Sequence, residues 1–211
     1  QDLTLPSYSA LSGTDLQSVA SLCKSWNFLD ASVGTAALNA YYNSTRIAYS
    51  FPGTHCTENA FTDYSLAVEN KKAAIIGHFF NLEKFLTKAE SVSVLERRPC
   101  PGDYPDSACE YLLPEQDFVF ITGSAFINKT LPRLLELSSG CRSIILGPST
   151  PMSPILFDYG ADELSGLIGL FLYHPYFSVF HLIPGVRNIL SFQIISNRPQ
   201  HATVGSHDHI R

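Results

Sequence analysis

One loop of the sequence and one nearby histidine carry the side chains best suited to bind a metal ion. Residues 99–106 contain a thiol, Cys100, and two carboxylates, Asp103 and Asp106, and His78 follows a short apolar run. Nitrogen, sulfur and oxygen ligands together are typical of sites for divalent transition metals. We predict His78, Asp103 and Asp106 as the metal ligands. Asp106 has an alternative role, because a carboxylate at the start of a helix is stabilised by the helix dipole.

A second kind of chemistry is indicated by Glu96, an acid at the end of a predicted strand. Glu96 follows Gly77 by 19 residues. In nucleotide-binding α/β folds a carboxylate about 20 residues after the glycine loop accepts the ribose hydroxyl groups. An adenosine-containing cofactor such as S-adenosylmethionine would use this arrangement. Arg97 and Arg98 are adjacent in sequence and could instead pair with Glu96 at the surface.

Five loops that follow predicted strands, beginning at residues 77, 96, 122, 147 and 165, each carry a glycine or a polar residue. Glycine lets the backbone approach a ligand, and hydroxyl and backbone N–H groups can bind an anion or a carboxylate. A tight turn after each strand would require the same residue types, so a purely structural role is the alternative. The candidate ligand-binding residues, besides His78 and Glu96, are Gly77, Thr122, Gly123, Asn128, Gly147, Pro148, Ser149 and Thr150.

Several common functional motifs are absent from the sequence. It contains no G-x-G-x-x-G, which disfavours ordinary NAD or FAD binding, no Walker-type phosphate loop, and no G-x-S-x-G of the α/β-hydrolases. Five cysteines at irregular spacing, without C-x-x-C, disfavour a disulfide framework or a structural zinc site. We therefore predict reduced, mostly buried thiols and a cytoplasmic location.

The composition disfavours other classes of partner. The 211 residues include 14 lysines and arginines against 19 aspartates and glutamates, a formal net charge of −5. Nucleic acid and anionic membranes are poor electrostatic partners for such a chain, so neither is expected. Hydrophobic residues make up 45% of the chain, enough for a buried core. The sequence contains no uninterrupted run of 18 apolar residues, so no membrane span is predicted.

The elements that must position these residues follow from the apolar pattern after residue 70. Strands are predicted at 73–77, 91–96, 118–123, 143–147 and 164–170, and helices at 81–89, 105–113, 130–138, 155–159 and 173–182. This alternation predicts a Rossmann-like parallel sheet with helices on both faces. Since parallel strands end at one edge, Gly77, Glu96, Gly123 and Gly147 should lie along that edge.

The rest of the chain is assigned to two further units. Residues 1–70 carry a helix over 31–42 and a β-leaning piece at 46–51, and are predicted to form a small, incomplete α+β domain. The Rossmann-like domain is placed at 71–190. Residues 191–211 are assigned to a polar tail with three histidines, and its last 15 residues are predicted to be mobile.

Several of these motifs, in one order, resemble the heavy-metal chelation family, a family long described as a domain of unknown function. The resemblance covers residues 13–186. The matching segments are 34–43, 76–79, Glu96, 101–106, 121–123, Asn128, 130–131, 147–151, Pro154 and 165–166.

This resemblance implies an enolase-N-terminal-like α+β domain followed by a Rossmann-like domain, with the ligand in the cleft between them. It implies heavy-metal chelation or the handling of a metal chelate, a metal ion or small molecule as partner, and allows a homo-oligomer. The sequence departs from the family at both ends. We expect the family's opening antiparallel strands to be absent before Gln1, and residues 187–211 do not resemble the family's ending.

Two other functions stay open from the residues alone. One is an enzyme that uses an adenosine-containing cofactor such as S-adenosylmethionine, which fits Glu96 and the missing pyrophosphate loop. The other is a non-catalytic scaffold with a vestigial pocket.

Overall fold

One mixed sheet organises the chain in a computed structural model, which describes residues 11–48, 50, 54–56, 61–79, 82–169 and 190–196. Within these residues the strands are β1 (Thr54–Cys56), β2 (Lys72–Ile76), β3 (Ser91–Glu96), β4 (Tyr104–Pro105), β5 (Phe118–Thr122), β6 (Arg142–Leu146), β7 (Glu163–Gly169) and β8 (Leu190–Ser196). The α-helices are α1 (Leu16–Ala20), α2 (Phe28–Tyr42), α3 (Thr45–Ala48), α4 (Phe61–Ala67), α5 (Leu82–Phe85), α6 (Cys109–Leu112), α7 (Leu131–Leu137) and α8 (Ile155–Asp158).

The strand order confirms the predicted Rossmann-like sheet. The order across the sheet is β1-β8-β7-β6-β5-β2-β3-β4, and β2 to β7 are all parallel. Counted along the chain from β2, these six strands follow the doubly wound order 3-2-1-4-5-6. The strand order reverses between β2 and β5. In folds of this class, ligands bind at that position, just outside the carboxyl ends of the strands.

Helices cover both faces of the parallel sheet because its central strands are apolar on both sides. Successive side chains of a strand point to opposite faces. Ala73 and Ile75 of β2 pack with residues around α4 and α5, whereas Ala74 and Ile76 pack with α6 and α7. The continuous apolar runs of β2, β5 and β6 are therefore explained by burial on both faces.

The strand register aligns the carboxyl ends of the parallel strands at one edge. Ile76 at the end of β2 pairs with both Leu95 of β3 and Ile121 of β5, and Thr122 pairs with Leu146. The residues that follow each strand therefore share this edge. The prediction that Gly77, Glu96, Gly123 and Gly147 lie together along it is confirmed.

Local elements differ from the prediction where the tertiary fold overrides the local pattern. The β-leaning piece at 46–51 instead begins as helix α3, which buries Ala48 completely and whose last N–H donates to the carbonyl of Ser44. The helices predicted at 81–89 and 105–113 are shorter, as α5 and as α6 with flanking 3-10 turns. The helix predicted at 173–182 lies outside the described residues.

The predicted polar tail is wrong for residues 191–196. They belong to strand β8, which pairs antiparallel with β7 over seven residue pairs. The free edge of β7 explains this pairing, because an unpaired edge leaves a row of backbone N–H and C=O groups unsatisfied. Residues 197–211 lie outside the described part of the chain.

The segment before residue 70 contributes to the same sheet. Strand β1 pairs antiparallel with β8 and so extends the sheet beyond β7. The enolase-N-terminal-like fold of residues 1–70 stays a prediction. No helix within the described residues has both the length and the apolar character needed to cross a bilayer.

Candidate functional site

His78 and Asp103 meet at the carboxyl edge of the sheet. His78 lies two residues after β2, and Asp103 lies just before β4, which pairs with the end of β3. The Nε2 atom of His78 is 2.7 Å from Oδ2 of Asp103. The Asp103 side chain is 7% exposed and the His78 side chain 42% exposed. The structure thus joins two residues that the sequence proposed as metal ligands.

Cys100 is the third member of this cluster. The ligand atoms of His78, Cys100 and Asp103 all lie within 4.8 Å of one another, and we call these three residues the metal trio. A turn brings the last two together, since the N–H of Asp103 donates to the Cys100 carbonyl at 3.0 Å and the N–H of Cys100 donates to Oδ2 of Asp103 at 2.7 Å. Gly102 in this turn has φ +102°, which favours glycine.

Asp106, the other predicted metal ligand, has a different partner. Its Oδ2 lies 3.4 Å from Nε of Arg97 in an ion pair whose two side chains are each 50% exposed. The structure therefore brings Cys100, and not Asp106, together with His78 and Asp103. The sequence held a signal for this, because Pro-Gly at the centre of a turn brings the residues on either side, Cys100 and Asp103, close together.

Hydrogen bonds keep the Asp103 carboxyl group ionised. The bond from His78, then the backbone N–H of Cys100, lower the pKa of Asp103 below its usual value, because both stabilise the charged form. An ionised carboxylate is the form that binds a metal. Asp103 is therefore prepared to act as a ligand at neutral pH.

Glu96 is held by backbone groups at the same edge. Its Oε1 accepts the N–H of His78 at 3.1 Å and its Oε2 accepts the N–H of Arg97 at 2.8 Å. These two bonds fix the carboxylate beside a cavity of about 700 Å³ that extends from Gly77 and His78 to the residues around α6 and α7. Thr122 and Asn128 also line this cavity.

Cys109 lines the cavity but is unsuited to bind an ion. Burial, and then the nearby charge of Asp106, raise the pKa of the Cys109 thiol to about 11. A thiol in that state is protonated at neutral pH, whereas metals are bound by thiolates. The four cysteines whose side chains the structure describes, Cys23, Cys100, Cys109 and Cys141, are all free thiols.

Thr122 and Asn128 also have local structural roles. The Thr122 hydroxyl accepts the N–H of Ser124 at 3.3 Å, where a 3-10 turn begins. Oδ1 of Asn128 accepts both the N–H and the O–H of Thr130, at 3.1 and 2.6 Å, just before α7. These two residues therefore stabilise the local backbone of the loops in which they lie and also line the cavity.

The loop after β6 accepts hydrogen bonds from two asparagine side chains. Thr150 is fully buried, and its carbonyl accepts the Asn43 amide at 2.9 Å. The carbonyl of Pro148 accepts the Asn39 amide at 3.3 Å. Pro148 and Thr150 thus connect this loop to α2 and to the residue that follows it.

Gly123 is required by packing. A Cβ atom there would lie 2.6 Å from the backbone N of Thr150 and 2.8 Å from the carbonyl carbon of Ser149. We expect Gly123→Ala to destabilise the fold by about 2 kcal/mol, because the clash is with backbone atoms that cannot rotate away. Urea unfolding measures this. Gly140→Ala is the control, since no atom lies within 4 Å of a Cβ at Gly140; equal effects of the two changes would contradict the packing role.

Comparisons with known proteins identify relatives of this chain. The model of a family described as "Putative heavy-metal chelation" (DUF364) matches residues 60–170, and a second family with the same description (DUF4213) matches residues 1–42. An uncharacterised protein of Methanocaldococcus jannaschii is 28% identical over 153 residues, which cover 68% of this chain and 56% of that protein. The chain thus spans little more than half the length of that curated relative.

Two solved structures are similar in fold. A DUF364 protein of unknown function from Desulfitobacterium hafniense has a TM-score of 0.76 and 36% identity, covering 87% of this chain and 76% of that one. A DUF364 protein of unknown function from Pyrococcus horikoshii has a TM-score of 0.68 and 21% identity, covering 86% of this chain and 74% of that one. The second shows similarity of fold alone.

Proposed function

Because the chain belongs to the DUF364 family, whose description is heavy-metal chelation, we propose that it binds a divalent metal ion at the metal trio, His78, Cys100 and Asp103. The observation that carries this proposal is the convergence of one nitrogen, one sulfur and one oxygen ligand atom within 4.8 Å. The ion is cargo in this proposal, bound and released by the protein.

The dimensions of the metal trio suit one ion. Two ligand atoms bound to the same tetrahedral zinc ion, each about 2.0–2.3 Å away, lie about 3.3–3.8 Å apart. The ligand atoms of the trio lie within 4.8 Å of one another, so side-chain movements of about 1 Å would bring them to these separations. In the described structure His78 and Asp103 hydrogen-bond to each other, so the ion would replace the shared proton.

The chemical character of the trio favours a borderline or soft metal that is exchanged. Imidazole and thiolate ligands suit zinc and its heavier relatives better than magnesium or calcium. Three protein ligands leave a coordination position open, as in zinc sites that are not purely structural. His78 and Cys100 are exposed, so an ion or a competing chelator can reach them from solvent.

We expect wild-type protein to bind Cd²⁺ and Co²⁺ with one ion per chain, measured by calorimetry. The Co²⁺ complex should show thiolate-to-metal charge-transfer absorption. His78→Ala, Cys100→Ser and Asp103→Asn should each weaken binding by about a hundredfold or more, since loss of even an indirect partner of a metal ligand typically costs about 10–100-fold. Cys100→Ser should also abolish the charge-transfer band.

Asp106→Asn and Cys23→Ser are the matched controls. Asp106 is a carboxylate three residues from Asp103, and Cys23 is a partly exposed thiol, but neither belongs to the metal trio. Both variants should bind within about threefold of wild type. An affinity that survives Cys100→Ser but falls in Asp106→Asn would refute this site.

A further inference from the structure

The cavity beside Glu96 has the position and size of a small-molecule site. It lies beyond the carboxyl ends of β2, β3 and β5, where the strand order reverses. Its volume of about 700 Å³ falls within the range of about 300–1,000 Å³ typical of ligand pockets. His78 lines it, but Cys100 and Asp103 are not among its lining residues.

The Glu96 carboxylate is positioned to accept hydroxyl groups. It ends the second strand of the Rossmann order, where such folds bind the ribose of a nucleotide. Each oxygen accepts one backbone N–H, from His78 and from Arg97. A carboxylate has about four acceptor positions in total, so each oxygen keeps one for a vicinal diol.

Of the three cationic side chains that line the cavity, the two arginines are paired with carboxylates, which disfavours phosphate. Arg97 lies 3.4 Å from Asp106, and Arg133 makes two hydrogen bonds to Glu110, at 2.9 and 2.5 Å. Lys129 donates to the carbonyl of Cys23. Glycine-rich pyrophosphate recognition is also missing after β2. The wall therefore offers no concentrated positive charge for a nucleotide's phosphates.

Part of the cavity lining is apolar. Ile76, Leu95, Leu134 and Leu137 line it together with polar residues such as Glu96 and Asn128. Ligand sites are typically apolar with a few polar groups that fix orientation.

We propose that this cavity binds an unphosphorylated nucleoside through a bond from its ribose diol to Glu96. The proposal does not depend on metal binding, because only His78 belongs to both sites. It assigns the carboxyl edge two adjacent sites, one for an ion and one for a nucleoside.

The test is calorimetric titration of the whole chain with adenosine, guanosine, cytidine and uridine, each compared with its 2′,3′-dideoxy counterpart. At least one nucleoside should bind, and its dideoxy counterpart should bind wild type about 10–100-fold more weakly, as expected for loss of hydrogen bonds to a charged group. The Glu96→Gln variant should bind the nucleoside and its dideoxy counterpart with equal, weak affinity. The diphosphate of the bound nucleoside should bind no more tightly than the nucleoside itself.

The dideoxy comparison uses unaltered protein, so it decides the question even if Glu96→Gln does not fold. No binding by any of the four nucleosides at millimolar concentration overturns the proposal, and so does equal affinity for the dideoxy forms. Cys100→Ser should bind the nucleoside as wild type does. Failure of metal binding and failure of nucleoside binding are therefore separate results.

Discussion

We expect metal affinity to fall as the pH is lowered, by about tenfold per pH unit for each proton that the ion displaces from its ligands. Imidazole binds a metal only when neutral, and a thiol only as the thiolate. Affinity should thus be greatest at mildly alkaline pH and lost under acid conditions. Competition with a chromophoric chelator across this range measures the slope.

Asp103 should not contribute to that slope until the solution is strongly acidic. The hydrogen bond from His78 and the N–H of Cys100 lower the pKa of Asp103, so this carboxylate is already ionised throughout the range. Cys100→Ser provides the control, because it removes one displaced proton and should make the slope shallower by about one order of magnitude per unit. A pH-independent affinity would contradict binding through His78.

We expect Asn43→Ala to destabilise the protein by about 3–5 kcal/mol. Asn43 is 5% exposed, and its amide donates to the carbonyls of Thr150 and Leu167, at 2.9 and 3.0 Å. Its Oδ1 accepts the N–H of Met152 at 2.9 Å. Alanine would leave three backbone groups without this partner, and each unsatisfied buried group costs about 1–3 kcal/mol. Urea unfolding followed by circular dichroism gives the difference.

Asn27→Ala is the matched control on the other end of the same helix. Asn27 is exposed and accepts one hydrogen bond, from the N–H of Leu29 at 2.9 Å, as the N-cap of α2. Its loss should cost about 1 kcal/mol, the usual value for an N-cap. If the two asparagine variants were equally stable, Asn43 would not join α2 to the strand ends as described.

The two proposed sites at the carboxyl edge share one residue through different atoms. His78 offers its ring nitrogen to the metal trio and its backbone N–H to Glu96. A nucleoside bound to Glu96 would therefore contact the carboxylate that accepts the backbone N–H of His78, a proposed metal ligand. This connection makes the edge between β2, β3 and β4 the part of the molecule where function should be sought first.

The sequence by itself determined the parallel sheet and its functional edge. Apolar runs of four to six residues, separated by helical segments, report burial on both faces, and right-handed connections then leave few arrangements for the strands. Gly77, Glu96 and Gly123 could be placed together for this reason, since parallel strands in register end on one side. The closeness of Cys100 to Asp103 was also encoded locally, in a Pro-Gly turn.

Contacts between distant segments were decided only by the tertiary structure. His78 and Asp103 are 25 residues apart, and their contact depends on β3 lying between β2 and β4. Asn43 and Thr150 are 107 residues apart, and no local pattern marks an asparagine for burial. Strand β8 was misread as tail because its pairing depends on the free edge of β7. Sequence periodicity reports which face of an element is buried, whereas strand order and register select the partner that covers it.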